Sequence, residues 1–184
     1  PEVATPRIVI LTPGAYSETY FEHSYLANYL GFPLVQSGDL VARGGYIWMK
    51  SLDGLKRVDV IMRRVDDYFC DPVELKGDSQ LGVPGLLEAV RNGRVVVANP
   101  LGSGILETPA LLRYLPAIAQ HFLGRELQLD SVRTWWCGDP DDRAHVLDNL
   151  DALVVKPVFR APGKHSVGVA ELGEQPRRLL LDAL

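Results

Sequence analysis

The feature that most constrains this chain is a set of short, unbroken apolar runs that each stop at a turn or a polar cluster. They lie within residues 7–11, 33–36, 58–62 and 94–98. Apolar runs of this length, bounded by Pro, Gly or charged residues, are typical of strands buried on both faces. The runs therefore predict a mostly parallel sheet covered by helices.

Helical patterns separate these runs. Thr19 and Glu22 have the spacing of a capping box, and an apolar face follows from Phe21 until Gly31 stops the helix. Further helices are predicted over residues 84–92 and 107–122, and a hairpin over residues 39–50 turns at Gly44-Gly45. The alternation predicts an α/β fold for residues 1–125.

The remaining 59 residues, 126–184, do not continue this alternation and are interpreted as two further segments. Residues 126–149 are interpreted as a linker with a connecting helix that starts near Asp139. Residues 150–184 are interpreted as a separate lobe. A strand over residues 153–159 would hold Lys156 and pair with residues 166–172.

Composition excludes several classes of function. The net charge is −4 and no block of like charge occurs, which argues against nucleic-acid binding. No apolar run exceeds four residues, so no membrane-spanning helix is expected. Two separated cysteines and four scattered histidines predict a cytoplasmic protein without a structural metal. The chain opens with Pro1 rather than Met, so we expect it to be a piece of a longer protein.

Unusual residues follow three of the predicted strands. Ligands of open α/β sheets bind outside the carboxyl ends of the strands, so these residues are candidates for substrate binding. The candidates are Glu18, Arg64, Asn99, Gly102, Ser103 and Gly104. Two alternatives stay open: Arg63 and Arg64 could form a local ion network with Asp66 or Asp67, and the glycines could serve a tight turn rather than an anion.

A second cluster surrounds Lys156. A lysine in an apolar strand needs a partner or an exit to solvent, so Lys156 could bind phosphate or lie on an edge strand with its amine in water. The next loop adds Arg160, Gly163, Lys164 and His165, which suits a phosphate cover. Trp135-Trp136 could stack on a ligand, although packing within the protein is the simpler interpretation.

The ordered motifs resemble the central part of circularly permuted ATP-grasp proteins, the group similar to glutathionylspermidine synthase. The resemblance covers nearly the whole chain and rests on residues 11–14, 17–23, 30–31, 38–40, 63–72, 82–87, 97–104, 135–138 and 155–157. It implies that residues 1–125 form a Rossmann-like domain preceding the ATP-grasp module. Residues 150–184 would then begin an incomplete nucleotide-binding lobe.

The resemblance also implies a chemistry. Family members ligate a carboxylate to an amine through an acyl-phosphate, using ATP and Mg²⁺. Lys156, Arg160, Gly163, Lys164 and His165 would bind ATP, while the strand-end residues would bind a small-molecule or peptide substrate. The chain has no Glu-x-Asn or Asp-x-Asn pair, so the metal ligands are expected in the remainder of the module. A binding module without catalysis is the second hypothesis. An unrelated Rossmann-like enzyme is the third, and the lack of a GxG loop counts against it.

Overall fold

The structure is a computed structural model, and it describes residues 3–159 and 165–184. Its chain divides into two compact units, Pro1–Ser103 and Gly104–Leu184. The domain limits expected at residues 125 and 149 stay a prediction.

The first unit contains two sheets and two α-helices. Its strands are β1 Ile8–Leu11, β2 Leu34–Val35, β3 Leu40–Arg43, β4 Tyr46–Ser51, β5 Gly54–Val58, β6 Val60–Arg63 and β7 Val96–Ala98. Its helices are α1 Tyr20–Leu30 and α2 Leu86–Arg91. Strands β1, β2, β6 and β7 form an all-parallel sheet in the order β2-β1-β6-β7, which confirms the predicted sheet. Consecutive Val9, Ile10 and Leu11 are fully buried, so both faces of β1 are covered.

Helix α1 begins and ends where predicted, but the predicted capping bonds are absent. Gly31 ends the helix in the left-handed conformation, with φ +71°. Thr19 makes no side-chain capping bond to the backbone, so the capping-box prediction was wrong. Its hydroxyl lies 3.0 Å from Nε2 of His23 instead. A side chain one helical turn further on therefore takes the place of the backbone N–H as the partner of this hydroxyl.

The second sheet is antiparallel, in the order β3-β4-β5. Its first hairpin turns at Gly44-Gly45, both at positive φ, as predicted. The prediction of one strand over residues 58–62 was wrong, because Val58 ends β5 and β6 begins at Val60. Asp59 forms the joint between the two sheets. Burial would raise the pKa of Asp59, but the Arg7 N–H and the Arg57 guanidinium outweigh it and hold that pKa below its ordinary value.

An irregular segment, residues 64–85, connects β6 to α2. Asp71 is fully buried at its centre. The Asp71 carboxylate accepts N–H bonds from Val73 at 2.9 Å, Gly85 at 3.2 Å and Leu87 at 2.9 Å. This one side chain therefore holds the segment against the start of α2, and its three bonds replace the backbone hydrogen bonds that a helix or sheet would supply.

The second unit contains α3 Leu111–Leu123, α4 Pro140–Asp148, α5 Glu174–Ala183 and the two-stranded hairpin β8 Val154–Val155 with β9 Val167–Gly168. The predicted start near Asp139 is confirmed, since its carboxylate caps α4. The start predicted at residue 107 was wrong. A short 3-10 helix covers Ser103–Glu107, and Pro109 disfavours helical backbone before it.

Strand β8 is shorter than the predicted 153–159. Lys156 follows the strand and is exposed, so the question of a lysine inside an apolar strand does not arise. No helix in the described ranges combines the length and apolarity needed to cross a membrane.

Candidate functional site

The carboxyl ends of the parallel strands meet at one edge of the first unit. The N–H of Arg64, just after β6, donates to the carbonyl of Leu11 at 2.8 Å. The N–H of Thr12, just after β1, donates to the carbonyl of Val35 at 2.9 Å. The side chain of Asn99, just after β7, bonds the backbone of Arg63. The predicted convergence of the strand ends is confirmed.

The strand order creates a topological switch point at this edge. The chain passes from β1 outward to β2 on one side, whereas β6 and β7 lie on the other side. Loops on the two sides of a switch point diverge and leave a crevice, the usual ligand position in open α/β sheets. Residues 12–19 after β1 and residues 64–67 after β6 lie on the two sides of this switch point, and the space expected between them is the candidate crevice.

Arg63 and Arg64 are adjacent in sequence but have opposite environments. Arg63 is only 6% exposed, and its Nη2 lies 2.5 Å from Oδ1 of Asp67. Its guanidinium also donates to the carbonyl of Val65 at 2.6 Å and to that of Asn99 at 3.2 Å. Arg63 is thus engaged in the ion network that the sequence left open. Arg64 is exposed, and no ion pair with Arg64 occurs among the described residues.

The residues after β7 are engaged in structural contacts. Asn99, at φ +55°, accepts the Arg63 N–H through Oδ1 at 3.1 Å and donates to the Arg63 carbonyl at 2.9 Å. The Gly102 N–H donates to Asp67 at 2.9 Å, and Ser103 Oγ lies 3.4 Å from Arg63 Nη2. Gly104 is exposed in the short 3-10 helix. The substrate contacts of Asn99, Gly102, Ser103 and Gly104 stay predictions.

The β1–α1 loop, residues 12–19, has a shape that requires glycine at Gly14. Gly14 is buried at φ +76°, and a Cβ there would lie 2.7 Å from Oε1 of Gln36. Its N–H donates to Thr12 Oγ1 at 3.1 Å, and its carbonyl accepts the Ser17 N–H at 3.0 Å. Glu18 is exposed in the same loop. The loop backbone is therefore ordered by its own bonds, while Glu18 is accessible to a ligand.

His23 lies beneath this loop and is 2% exposed. Its Nδ1 is 2.9 Å from Thr12 Oγ1 and its Nε2 is 3.0 Å from Thr19 Oγ1. Burial and the positive charge of Arg64 lower the pKa of His23, while Glu22 opposes them more weakly. The sequence placed His23 among four scattered histidines and within the family motif of residues 17–23, but predicted no role for it. Its four-residue spacing from Thr19 in a helix was the available signal.

Two of the ATP-binding candidates, Lys156 and His165, lie within the residues that the structure describes, at the same end of the β8–β9 hairpin. Val155 pairs with Val167, so Lys156 and His165 both lie at the loop end. Both are exposed, and a lysine ammonium there suits a phosphate group. Arg160, Gly163 and Lys164 fall outside the described residues. Their predicted contacts with ATP stay predictions.

Other residues do not build a metal or nucleophile site. Residues 3–159 and 165–184 contain no group of three or more His, Cys, Asp or Glu side chains that could hold a metal ion. Burial raises the pKa of the Cys70 thiol to about 11, which makes Cys70 a poor nucleophile. Trp135 stacks on His145 with ring centroids 4.5 Å apart, which favours packing over ligand stacking.

The first unit is an α/β fold whose parallel strands have a topological switch point between β1 and β6, the usual ligand position in open α/β sheets. The model of one family, circularly permuted ATP-grasp type 2, matches residues 1–184. The chain belongs to this family, as its motifs indicated. The more specific likeness to glutathionylspermidine synthase stays a prediction.

Three relatives show how the chain fits into longer proteins. It is 52% identical over 157 residues to an uncharacterised protein of Mycobacterium tuberculosis, covering 85% of this chain and 18% of the relative. It is 45% identical over 163 residues to an uncharacterised protein of Synechocystis, covering 89% and 34%. It is 41% identical over 160 residues to an uncharacterised protein of Mycobacterium leprae, covering 87% and 28%. The chain therefore spans between 18% and 34% of the length of these relatives.

Proposed function

We propose that this chain is the acid-binding part of an ATP-dependent ligase that joins a carboxylate to an amine. The observation that carries the proposal is Arg64, an exposed arginine with no ion pair among the described residues, beside the switch-point crevice. Family membership supports ATP as the co-substrate and Mg²⁺ as its ion. We propose a small-molecule or peptide acid, a cytoplasmic setting, and nucleotide contacts from Lys156, Arg160, Gly163, Lys164 and His165.

Arg64 and the β1–α1 loop would bind and orient the acid. A planar guanidinium bonds both oxygens of a carboxylate, which fixes the direction of the attacking oxygen. ATP would supply a phosphoryl group to that oxygen with release of ADP, and the amine would then attack the acyl carbon and release phosphate. Lys156 would hold the phosphates by charge. Asn99 and Gly102–Gly104 would keep the crevice wall in place, and Glu18 would lie at its mouth.

Replacing Arg64 with alanine is expected to raise KM for the acid by about 30-fold or more in the full-length protein, since truncating one partner of a desolvated charge pair costs about 2 kcal/mol or more. KM for ATP should hardly change. Steady-state ADP release with varied acid and amine measures both constants.

Arg43→Ala is the matched control for Arg64→Ala, because Arg43 is also exposed but lies at the β3–β4 hairpin. It should leave both constants unchanged. Equal KM values for the acid in the Arg64→Ala variant and the unmodified protein would contradict the role of Arg64.

Replacing Lys156 with alanine is expected to weaken ATP binding about tenfold, the effect of removing one charge-assisted bond of about 1.4 kcal/mol. Calorimetric titration of the full-length protein with ATP measures the change. Arg178→Ala, an exposed cation on α5, is the control and should bind ATP normally. Equal affinities in all three proteins would remove Lys156 from the nucleotide site.

A binding module without catalysis is the second candidate. It is favoured by the lack, among the described residues, of a cluster that could hold Mg²⁺ against the phosphates. We expect these 184 residues alone to release no ADP above background. Ligation by the full-length protein would support the enzyme, and ATP binding without ADP release would support the module.

A further inference from the structure

We infer that His23 is the positioning residue of the crevice: it ties the two ends of the β1–α1 loop together so that the loop and Arg64 form one preformed acid-binding surface. The inference rests on the proposed function for the nature of the ligand. The structural part, the tie itself, stands on the contacts of His23.

The tie joins residues at both ends of the loop. Thr12 follows β1 and Thr19 precedes α1. The Thr12 hydroxyl is within hydrogen-bond distance of Nδ1 of His23, and the Thr19 hydroxyl is within hydrogen-bond distance of Nε2. The bonds continue into the loop, because Thr12 Oγ1 accepts the Gly14 N–H and Thr19 Oγ1 lies 3.0 Å from Ser17 Oγ. One buried ring therefore orders the loop at both ends.

The tie depends on a neutral ring. A neutral imidazole offers one donor and one acceptor, so the lone pair of one nitrogen can accept a threonine hydroxyl proton. A protonated ring offers two donors, so neither nitrogen can accept a threonine hydroxyl proton. At Thr12, which is 1% exposed, water cannot replace the lost acceptor. Arg64, after β6, adds repulsion against the protonated ring, and Glu22 on α1 offsets part of it.

The direction of the pKa shift of His23 determines how the stability of the β1–α1 loop depends on pH. The folded-state pKa of His23 lies below the ordinary value of 6.5, so the neutral ring is favoured in the folded protein. Above pH 6.5 the hydrogen bonds of neutral His23 contribute fully to the stability of the folded protein. This contribution is lost as the pH falls from 6.5 through the lower folded-state value. Acid binding at the crevice should weaken only as His23 becomes protonated in the folded protein, around its lowered folded-state pKa.

The arrangement also couples His23 to Arg64. Removing the charge of Arg64 should raise the pKa of His23 toward 6.5, because one of the two causes that lower it is gone. Nuclear magnetic resonance titration of the His23 ring in the full-length protein, in Arg64→Gln and in Arg43→Gln tests this coupling. A higher pKa of His23 in Arg64→Gln, but not in Arg43→Gln, supports the inference. Equal pKa values of His23 in all three proteins overturn the coupling.

The decisive experiment uses His23→Phe, His23→Gln and Val97→Ala in the full-length protein. Gln can reach one threonine, whereas Phe reaches neither. Val97 is a buried residue of β7 outside the tie, and its truncation controls for general loss of stability. Hydrogen exchange of the Gly14 and Ser17 amides should accelerate about tenfold in His23→Phe, less in His23→Gln and not locally in Val97→Ala.

Kinetics complete the test. In His23→Phe the KM for the acid should rise about tenfold while kcat changes less, and the acid limb of the profile of kcat/KM against pH should disappear. Unchanged amide exchange in His23→Phe, or a KM effect equal to that of Val97→Ala, would overturn the inference. If the unmodified protein ligates nothing, the proposed function fails, while amide exchange and the ring titration still decide whether His23 ties the loop.

Discussion

Replacing Arg63 with alanine is expected to lower the free energy of unfolding by about 3 kcal/mol, the scale of removing one partner from a buried ion pair. Arg63 is 6% exposed, and its loss would leave the Asp67 carboxylate, 33% exposed, without its ion-pair partner and the carbonyls of Val65 and Asn99 without their donor. Buried acceptors without donors are costly because water cannot replace the lost bonds. Urea unfolding followed by circular dichroism measures the change.

The neighbouring arginine is the matched control. Arg64→Ala removes the same type of side chain one position further on, but Arg64 is exposed and belongs to no ion pair among the described residues. Its effect on the free energy of unfolding should stay within about 0.5 kcal/mol. Equal losses in Arg63→Ala and Arg64→Ala would contradict the separation of a structural arginine from a binding arginine.

Replacing Gly82 with alanine is expected to destabilise the first unit by about 3 kcal/mol, at the upper end of overpacking effects. An added Cβ would lie 2.2 Å from the carbonyl oxygen of Phe69 and 2.5 Å from the carbonyl carbon of Cys70. Both atoms belong to the backbone, so no side chain can turn away to make room. The Gly82 carbonyl also accepts a hydrogen bond from Ser37 and would be displaced with the chain.

Gly38→Ala provides the comparison for Gly82→Ala. A Cβ at Gly38 would meet nothing within 4 Å, and its φ is not positive, so stability should change little. Thermal and urea unfolding of the two variants should differ clearly. Similar stabilities would show that the segment around Phe69 and Cys70 can move aside.

Apolar patterning was sufficient to predict the parallel sheet. The runs at β1, β2 and β7 occur where the patterns placed them. Burial on both faces explains the consecutive apolar residues of β1, whereas β7 at the sheet edge buries Val97 and leaves Val96 exposed. The same logic failed at Asp59. A carboxylate between Val58 and Val60 looks like one polar residue within a strand, whereas bonds to Arg7 and Arg57 make it the joint of two sheets.

Local helix signals were reliable where the partners are local. Gly31 and Asp139 act within their own helices, so their spacing was informative. Thr19 does precede the first residue of α1, but the predicted capping box was wrong because its hydroxyl bonds the buried His23 ring instead of the backbone. The spacing alone does not show which acceptor or donor the hydroxyl finds.

For this protein, the sequence by itself determined the fold class, the family and the convergence of polar residues at the strand ends, since all three follow from residue types in chain order. Only the tertiary structure decided which of the two arginines is buried. It also decided that the Asn99 side chain bonds Arg63 and that the Gly102 N–H bonds Asp67. The contacts of His23 with Thr12 and Thr19 likewise appear only in the folded chain. The physical reason is that burial and hydrogen bonding are properties of neighbours in space. Arg63 and Arg64 are the same residue type side by side, and only the packing around β6 distinguishes them.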